Sequence, residues 1–151
     1  MSTKMTWQIS SDSSRSTEDY AEKLGKQLRG GEIISLVSDL GGGKTTFARG
    51  LARGIGSKDH VSSPTFTISK LYKGADLNIN HFDFYRLGDP GLVQNELLDF
   101  IDSDNVVVIE WPDIVENVLP VNRLTINIES FGDNERRISF SCPIELGYLK
   151  V

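Results

Sequence analysis

The chain has 151 residues, 38% of them apolar, with no repeats or biased segments, which excludes fibrous and disordered classes and reads residues 1–151 as one domain. Its net charge of −5 excludes a protein that wraps nucleic acid by neutralising phosphates, so any RNA link is expected to run through partners. No apolar run approaches the roughly 20 residues that cross a bilayer, and the opening MSTKMTWQISSDSS is too polar for a signal-peptide core, making the cytoplasm the expected location.

In chain order, Met5 to Ile9 reads as a short strand. Ser16, with Asp19 three residues on, resembles a capping box and predicts a helix from Thr17 to Leu28, stopped by Gly30 and Gly31. Glu32 to Val37 (EIISLV) is a mostly apolar run, as in a strand buried on both faces. The segment SDLGGGKTT follows it at once. Phe47, Ala48, Leu51, Ala52 and Ile55 then recur at the three-four spacing of a helix from Thr45 to Ile55, closed by Gly56. Phe66 to Lys73 and Leu77 to Tyr85 are β-prone runs around Gly74-Ala75-Asp76, which predicts a hairpin and hence mixed strand directions. Leu92 to Ile101 has a helical pattern, Val106 to Ile109 is a buried strand, and Ile114 to Leu119 a short helix after Pro112. Arg123 to Glu129 and Arg136 to Ser141 read as strands around Gly132-Asp133-Asn134. The single cysteine, Cys142, has no partner at disulfide or metal-ligand spacing and reads as a small buried hydrophobe.

Chemistry enters at residues 38 to 45, S-D-L-G-G-G-K-T, which fit the phosphate-loop pattern of glycine, four open positions and Gly-Lys-Ser/Thr at every position but the first. Glycines at 41, 42 and 43 let successive N–H groups curl toward phosphate oxygens, and the following helix adds the positive end of its dipole. The expected nucleotide contacts are Asp39, Leu40, Gly41, Gly42, Gly43, Lys44, Thr45 and Thr46. Lys44 is placed on the β- and γ-phosphates, the Thr45 hydroxyl on a magnesium ion bridging them, and Thr46 on a neighbouring phosphate. The expected fold is α/β, a P-loop NTPase-like three-layer sandwich with a mixed parallel and antiparallel central sheet.

A second signal is VVVIE, a buried strand ending in Glu110, which makes that carboxylate the second metal candidate. Alternation along Leu77 to Tyr85 puts His81, Asp83 and Tyr85 on one, chemical face and Phe82 and Phe84 on the other, apolar one. Asp83 is, beside Lys44, the second catalytic candidate, able to take a proton from an attacking water or to hold a metal-bound water, with an ion pair to Arg86 as its structural alternative. His81 and His60 lack a zinc pattern and are left outside the site. Thr65, in SSPTFT, occupies the region where P-loop switches place a threonine near the γ-phosphate, and equally suits a surface turn.

Taken in order and spacing, SDLGGGKTTFARG, SSPTFTI, HFDFYRL and IEWP resemble the TsaE family of bacterial tRNA threonylcarbamoyladenosine biosynthesis proteins, over roughly residues 7 to 145. The family's usual loop is GDLGAGKTT, so Ser38 and Gly42 are departures. The resemblance implies a weak magnesium-dependent ATPase, stimulated by the partners TsaB and TsaD, that helps modify adenosine 37 of ANN-decoding tRNAs. It carries over Lys44 and Thr45 as phosphate and magnesium residues, Glu110 as a magnesium residue, and Asp83, Thr65 and Trp111 as residues of turnover or switching. Trp111 also suits a core aromatic sealing the sheet edge. Three other readings remain open on sequence: a small-molecule kinase, for which Arg136 and Arg137 are the arginines that could approach a nucleotide; a GTPase switch, though its Asn-Lys-x-Asp pattern is absent; and a pure nucleotide-binding module.

Overall fold

The computed structural model describes residues 4–38, 43–61, 69–83, 97, 99, 101–110 and 119–151. Strand β1 (Lys4–Ser11) leads into helix α1 (Ser14–Gly25), strand β2 (Ile33–Ser38) and helix α2 (Lys44–Gly54). Strands β3 (Ser69–Lys73), β4 (Asn78–Asp83), β5 (Asn105–Glu110), β6 (Leu124–Ser130) and β7 (Arg136–Pro143) follow, and Ile144–Leu149 forms a closing 3-10 helix.

Helix α1 starts three residues earlier than its sequence predicts. Ser13 is the cap, its hydroxyl accepting from the Ser16 N–H at 3.0 Å while its carbonyl accepts from the Thr17 N–H. Either serine suits a cap chemically; the Ser11–Thr17 hydroxyl contact of 2.6 Å, buried against the end of β1, selects the earlier one. The other end also comes early, at Gly25, because Gln27 and Leu28 donate back to Leu24 and Gly25 in a tightened last turn.

The seven strands of the described residues form one sheet in the order β1-β7-β6-β2-β5-β4-β3. The four inner strands β6, β2, β5 and β4 are mutually parallel; β7 on one side and β3 on the other run antiparallel to them, and β1, antiparallel to β7, runs again in their direction. The mixed sheet and the β3–β4 hairpin expected from sequence are both present.

Alternation along the inner strands sends side chains to two cores. Ile34, Leu36, Val106, Val108 and Ile126 meet Phe47 and Leu51 of α2 and Leu24 of α1. On the opposite face Ile33, Val107, Ile109 and Phe82 pack with Leu97 and Leu119. The helices expected over 92–101 and 114–119 lie mostly outside the described residues, but Leu97 and Leu119 are buried on that second face.

Helices α1 and α2 approach backbone to backbone. A Cβ built on Gly50 would lie 2.3 Å from the Glu18 carbonyl oxygen, one on Gly54 would lie 2.5 Å from that of Glu22, and one on Gly25 would lie 2.6 Å from that of Leu51. Arg53 closes the crossing on its outer side, donating to Glu18 at 2.9 Å and Glu22 at 2.7 Å. That exposed ion pair orients more than it stabilises, so the glycines set the closeness.

At the edge of the sheet opposite the carboxyl ends of the parallel strands, Glu32 is buried with three donors: the N–H groups of Arg29 and Gly30 and the Tyr148 hydroxyl, each at 2.7 Å. The Arg29 guanidinium lies over the Tyr148 ring, 3.8 Å from its centroid. Burial, then the neighbouring carboxylate, pushes the Tyr148 phenol well above its ordinary range. A phenol raised in the folded state leaves stability intact below its unfolded value of about 10 and drains it as pH rises beyond that. The urea midpoint is therefore expected to fall above about pH 10, and Tyr148→Phe to start lower but fall less steeply across that window.

Candidate phosphate-binding site

Strand β2 is buried along its length until Val37 and Ser38, where it emerges at the carboxyl edge of the parallel strands. Asp39, Leu40, Gly41 and Gly42 lie outside the described residues. The chain is described again at Gly43, whose φ of 107° and ψ of 15° make it the left-handed cap of α2. A side chain is disfavoured in that conformation, which explains glycine immediately before the lysine. The Gly43 carbonyl accepts from Phe47 N–H at 2.9 Å and starts the helix. Lys44, Thr45 and Thr46 form its first turn, each partly buried, and no acidic side chain there offsets the positive end of the helix. A helix N-terminus carrying a lysine and two hydroxyls, with no acidic side chain in its first turn, offers backbone donors and positive charge to an anion such as a polyphosphate.

Two carboxylates end the strands that follow β2 across the sheet. Register pairs Leu36 of β2 with Glu110 of β5, and Glu110 in turn with Asp83 of β4. Glu110 shares its face with Val106 and Val108, and Asp83 shares its face with Ile79, so both point to the side of the sheet on which α2 packs. Asp83 is half-buried and Glu110 is 2% exposed. The structure thus sets Glu110 and Asp83 side by side on the face of the sheet that carries α2.

On β4 His81 and Asp83 share one face and Phe82 takes the other, as the alternation predicts, but neither face is purely chemical or purely apolar. Ile79 on the supposed chemical face is core, and Asn80 on the supposed apolar face is buried and donates to Asn105 at 2.7 Å. An inner strand with layers on both sides has no solvent face to reserve for chemistry. His81, left outside the site on sequence, is fully buried within it. Its Nε2 lies 3.2 Å from Glu110 Oε1 and its Nδ1 3.2 Å from the Tyr72 hydroxyl. The first contact is off the hydrogen-bond line, so Glu110 Oε1 is buried with no hydrogen-bond partner. The signal available for His81 was its place two residues before Asp83 on the same face; nothing in the sequence placed Tyr72 beside it.

On the other flank of α2 a cavity of about 130 Å³ is lined by Ser14, Thr17, Gly43, Thr46, Asn134 and Arg136. Of the two arginines singled out in the sequence, Arg136 reaches this cavity beside Gly43, its guanidinium donating to the Glu135 carbonyl at 2.9 Å. Arg137 instead stacks on Phe131 at 4.3 Å. Thr65 and Trp111 lie outside the described residues, as do Tyr85 and Arg86. Cys142 is buried and its thiol is pushed up by that burial, as a small core hydrophobe.

A magnesium ion prefers oxygen ligands and keeps several waters or phosphate oxygens in its shell. Among the described residues no group of three His, Cys, Asp or Glu side chains could hold a metal alone. The donors present, the Thr45 hydroxyl and the Glu110 carboxylate, whose buried Oε1 has no hydrogen-bond partner, fit an ion that takes its remaining oxygens from a nucleotide and water.

A buried parallel strand, a glycine-capped loop, a helix opening on Lys-Thr-Thr and a carboxylate ending the adjacent strand define an α/β protein of the P-loop NTPase type. The chain belongs to the TsaE family, described as threonylcarbamoyl adenosine biosynthesis protein TsaE, whose pattern matches residues 11–138. It is 41% identical over 125 residues to the tRNA threonylcarbamoyladenosine biosynthesis protein TsaE of Bacillus subtilis, covering 83% of this chain and 78% of that one. The protein of the same name from Haemophilus influenzae is 37% identical over 116 residues, 76% of this chain and 73% of that one. Among solved structures, the crystal structure of Bacillus subtilis YdiB superposes with a TM-score of 0.78 at 31% identity, covering 99% of this chain and 93% of that one. No helix among the described residues is long and apolar enough to cross a membrane.

Proposed function

We propose that this chain is the ATP-binding and weakly ATP-hydrolysing component of tRNA N6-threonylcarbamoyladenosine biosynthesis. In this reading it works in the cytoplasm with TsaB- and TsaD-type partners and meets tRNA only through their complex. The observation that carries the ATPase reading is the junction of the left-handed Gly43 with Lys44-Thr45-Thr46 of α2, with Glu110 and Asp83 side by side on the face of the sheet that carries that helix. Family membership carries the pathway.

Residues 39 to 46 supply backbone and hydroxyl donors to the phosphates, and Lys44 the balancing charge. Thr45 and Glu110 are the residues to hold Mg2+, which when bound screens the phosphate charge and fixes the orientation of the terminal group. Asp83, half-buried beside Glu110, is the group to orient or deprotonate the attacking water. Thr65 and Trp111 are assigned to switching between nucleotide states.

Turnover of ATP and GTP by the purified chain, alone and with the partner pair plus tRNA, tests the reading. Slow hydrolysis that prefers ATP and rises about ten-fold or more with partners is expected, a coupling of ordinary allosteric size. Turnover that ignores the partners or prefers GTP overturns it.

A further inference from the structure

We infer that His81 is a positioning residue for Glu110, held in place by Tyr72 across the β3–β4 hairpin; the inference rests on the reading of Glu110 as a magnesium residue. Tyr72, His81 and Glu110 form a line across three neighbouring strands, β3, β4 and β5. Tyr72 is 2% exposed, His81 0% and Glu110 2%, so the whole line is sealed from water.

The line has a direction. A carboxylate only accepts, so the nitrogen facing Glu110, Nε2, is the one that carries a hydrogen in any attractive arrangement. In the tautomer with its hydrogen on Nε2, Nδ1 presents a lone pair, and the Tyr72 hydroxyl 3.2 Å away is the donor placed to meet it. The two partners together select one tautomer and one ring orientation, with the planes of Tyr72 and His81 tilted by 51°.

A packing role alone does not account for this set. Three apolar side chains would fill the same interior without the desolvation cost of a carboxylate, an imidazole and a phenol. The arrangement also stops short of satisfying itself, because Nε2 and Oε1 approach to 3.2 Å yet neither has a hydrogen-bond partner. A buried carboxylate left in that condition gains from a cation beyond the end of the strand. An imidazole behind it limits how far it swings, as outer partners do for ligands in metal sites generally.

The test is ATP affinity by calorimetry, in Mg2+ and again in EDTA, for the full chain and the variants Glu110→Gln, His81→Leu, His81→Gln and Tyr72→Phe. In the wild type Mg2+ is expected to tighten ATP binding, and Glu110→Gln to remove that gain. His81→Leu is expected to lose about ten- to hundred-fold of the gain, the usual size for an outer partner, and to leave binding in EDTA unchanged. His81→Gln, whose amide nitrogen reaches the place of Nε2, restores most of it. Tyr72→Phe keeps the packing and gives a loss of a few-fold in the same direction; if His81→Leu does not fold, Tyr72→Phe and His81→Gln decide. A folded His81→Leu with the wild-type Mg2+ effect, or with equal losses in Mg2+ and EDTA, overturns the positioning role alone. No Mg2+ effect in the wild type, or a full effect in Glu110→Gln, overturns the reading of Glu110 and this inference with it.

Discussion

Lys44→Ala is expected to reduce ATP turnover by about a hundred- to thousand-fold, the scale seen when a preorganised charge is taken from a transition state. Lys44 stands first in α2, directly after the left-handed Gly43, so its amine arises where the helix dipole and the first-turn N–H groups already favour an anion. Alanine leaves those backbone donors in place and removes the only full positive charge in the first turn. Because phosphoryl transfer relies on neutralising charge spread over the phosphate oxygens, the loss falls on the chemical step more than on folding. The residue is partly exposed and alanine is a good helix former, so the melting temperature should stay within a few degrees. The measurement is single-turnover hydrolysis beside thermal melting. A variant that melts normally and still turns over ATP at the wild-type rate would remove the loop from the chemistry.

Gly50→Val is expected to be the most damaging single change to the fold among the glycines of α2. Its first added carbon would sit 2.3 Å from the Glu18 carbonyl oxygen and 2.5 Å from the Ala21 Cβ. Neither obstacle is the movable end of a long side chain: one is helix backbone and the other is Ala21, which is 0% exposed. The helices must separate, opening gaps around Leu24, Ala48 and Leu51. Overpacking of this kind costs about 3 kcal/mol, and a β-branched residue adds little helix preference to offset it. For a chain of this size that loss corresponds to a fall of roughly 10 °C in melting temperature. Because α2 carries Lys44 and Thr45, ATP affinity should drop as well. A variant that melts like the wild type would show that the two helices are not fixed at this spacing.

The elements that proved easiest to read are those whose composition admits one interpretation. EIISLV and VVVIE are apolar throughout because β2 and β5 are inner strands covered on both faces, and GGGKTT between a buried strand and an amphipathic helix has few uses. The start of α1 was harder, since Ser13 and Ser16 are equally good caps and the choice falls to a tertiary contact at Thr17. Gly50 and Gly54 carry no positive φ and read as weak points of a helix; their value lies in what approaches them from α1, which one-dimensional periodicity does not encode. The placement of Glu110 and Asp83 side by side follows from strand order, but His81 gains meaning only when β3 and β5 are set on either side of β4. Tyr72 lies nine residues before it, across a turn.

The outer wing of the sheet has a consequence for how the chain is made. Among the described strands β1 bonds only to β7, pairing for example Gln8 with Ser139, 131 residues apart. During synthesis β1 leaves the ribosome long before any partner exists, while α1, β2 and α2 follow immediately behind it. Closing so long a loop is slow, so the wing is the natural last step of assembly, after the phosphate-loop unit has gathered. Until then Trp7, which finally stacks on Phe140 at 4.9 Å, is an exposed aromatic on an unpaired strand, and its fluorescence would time the arrival of β7.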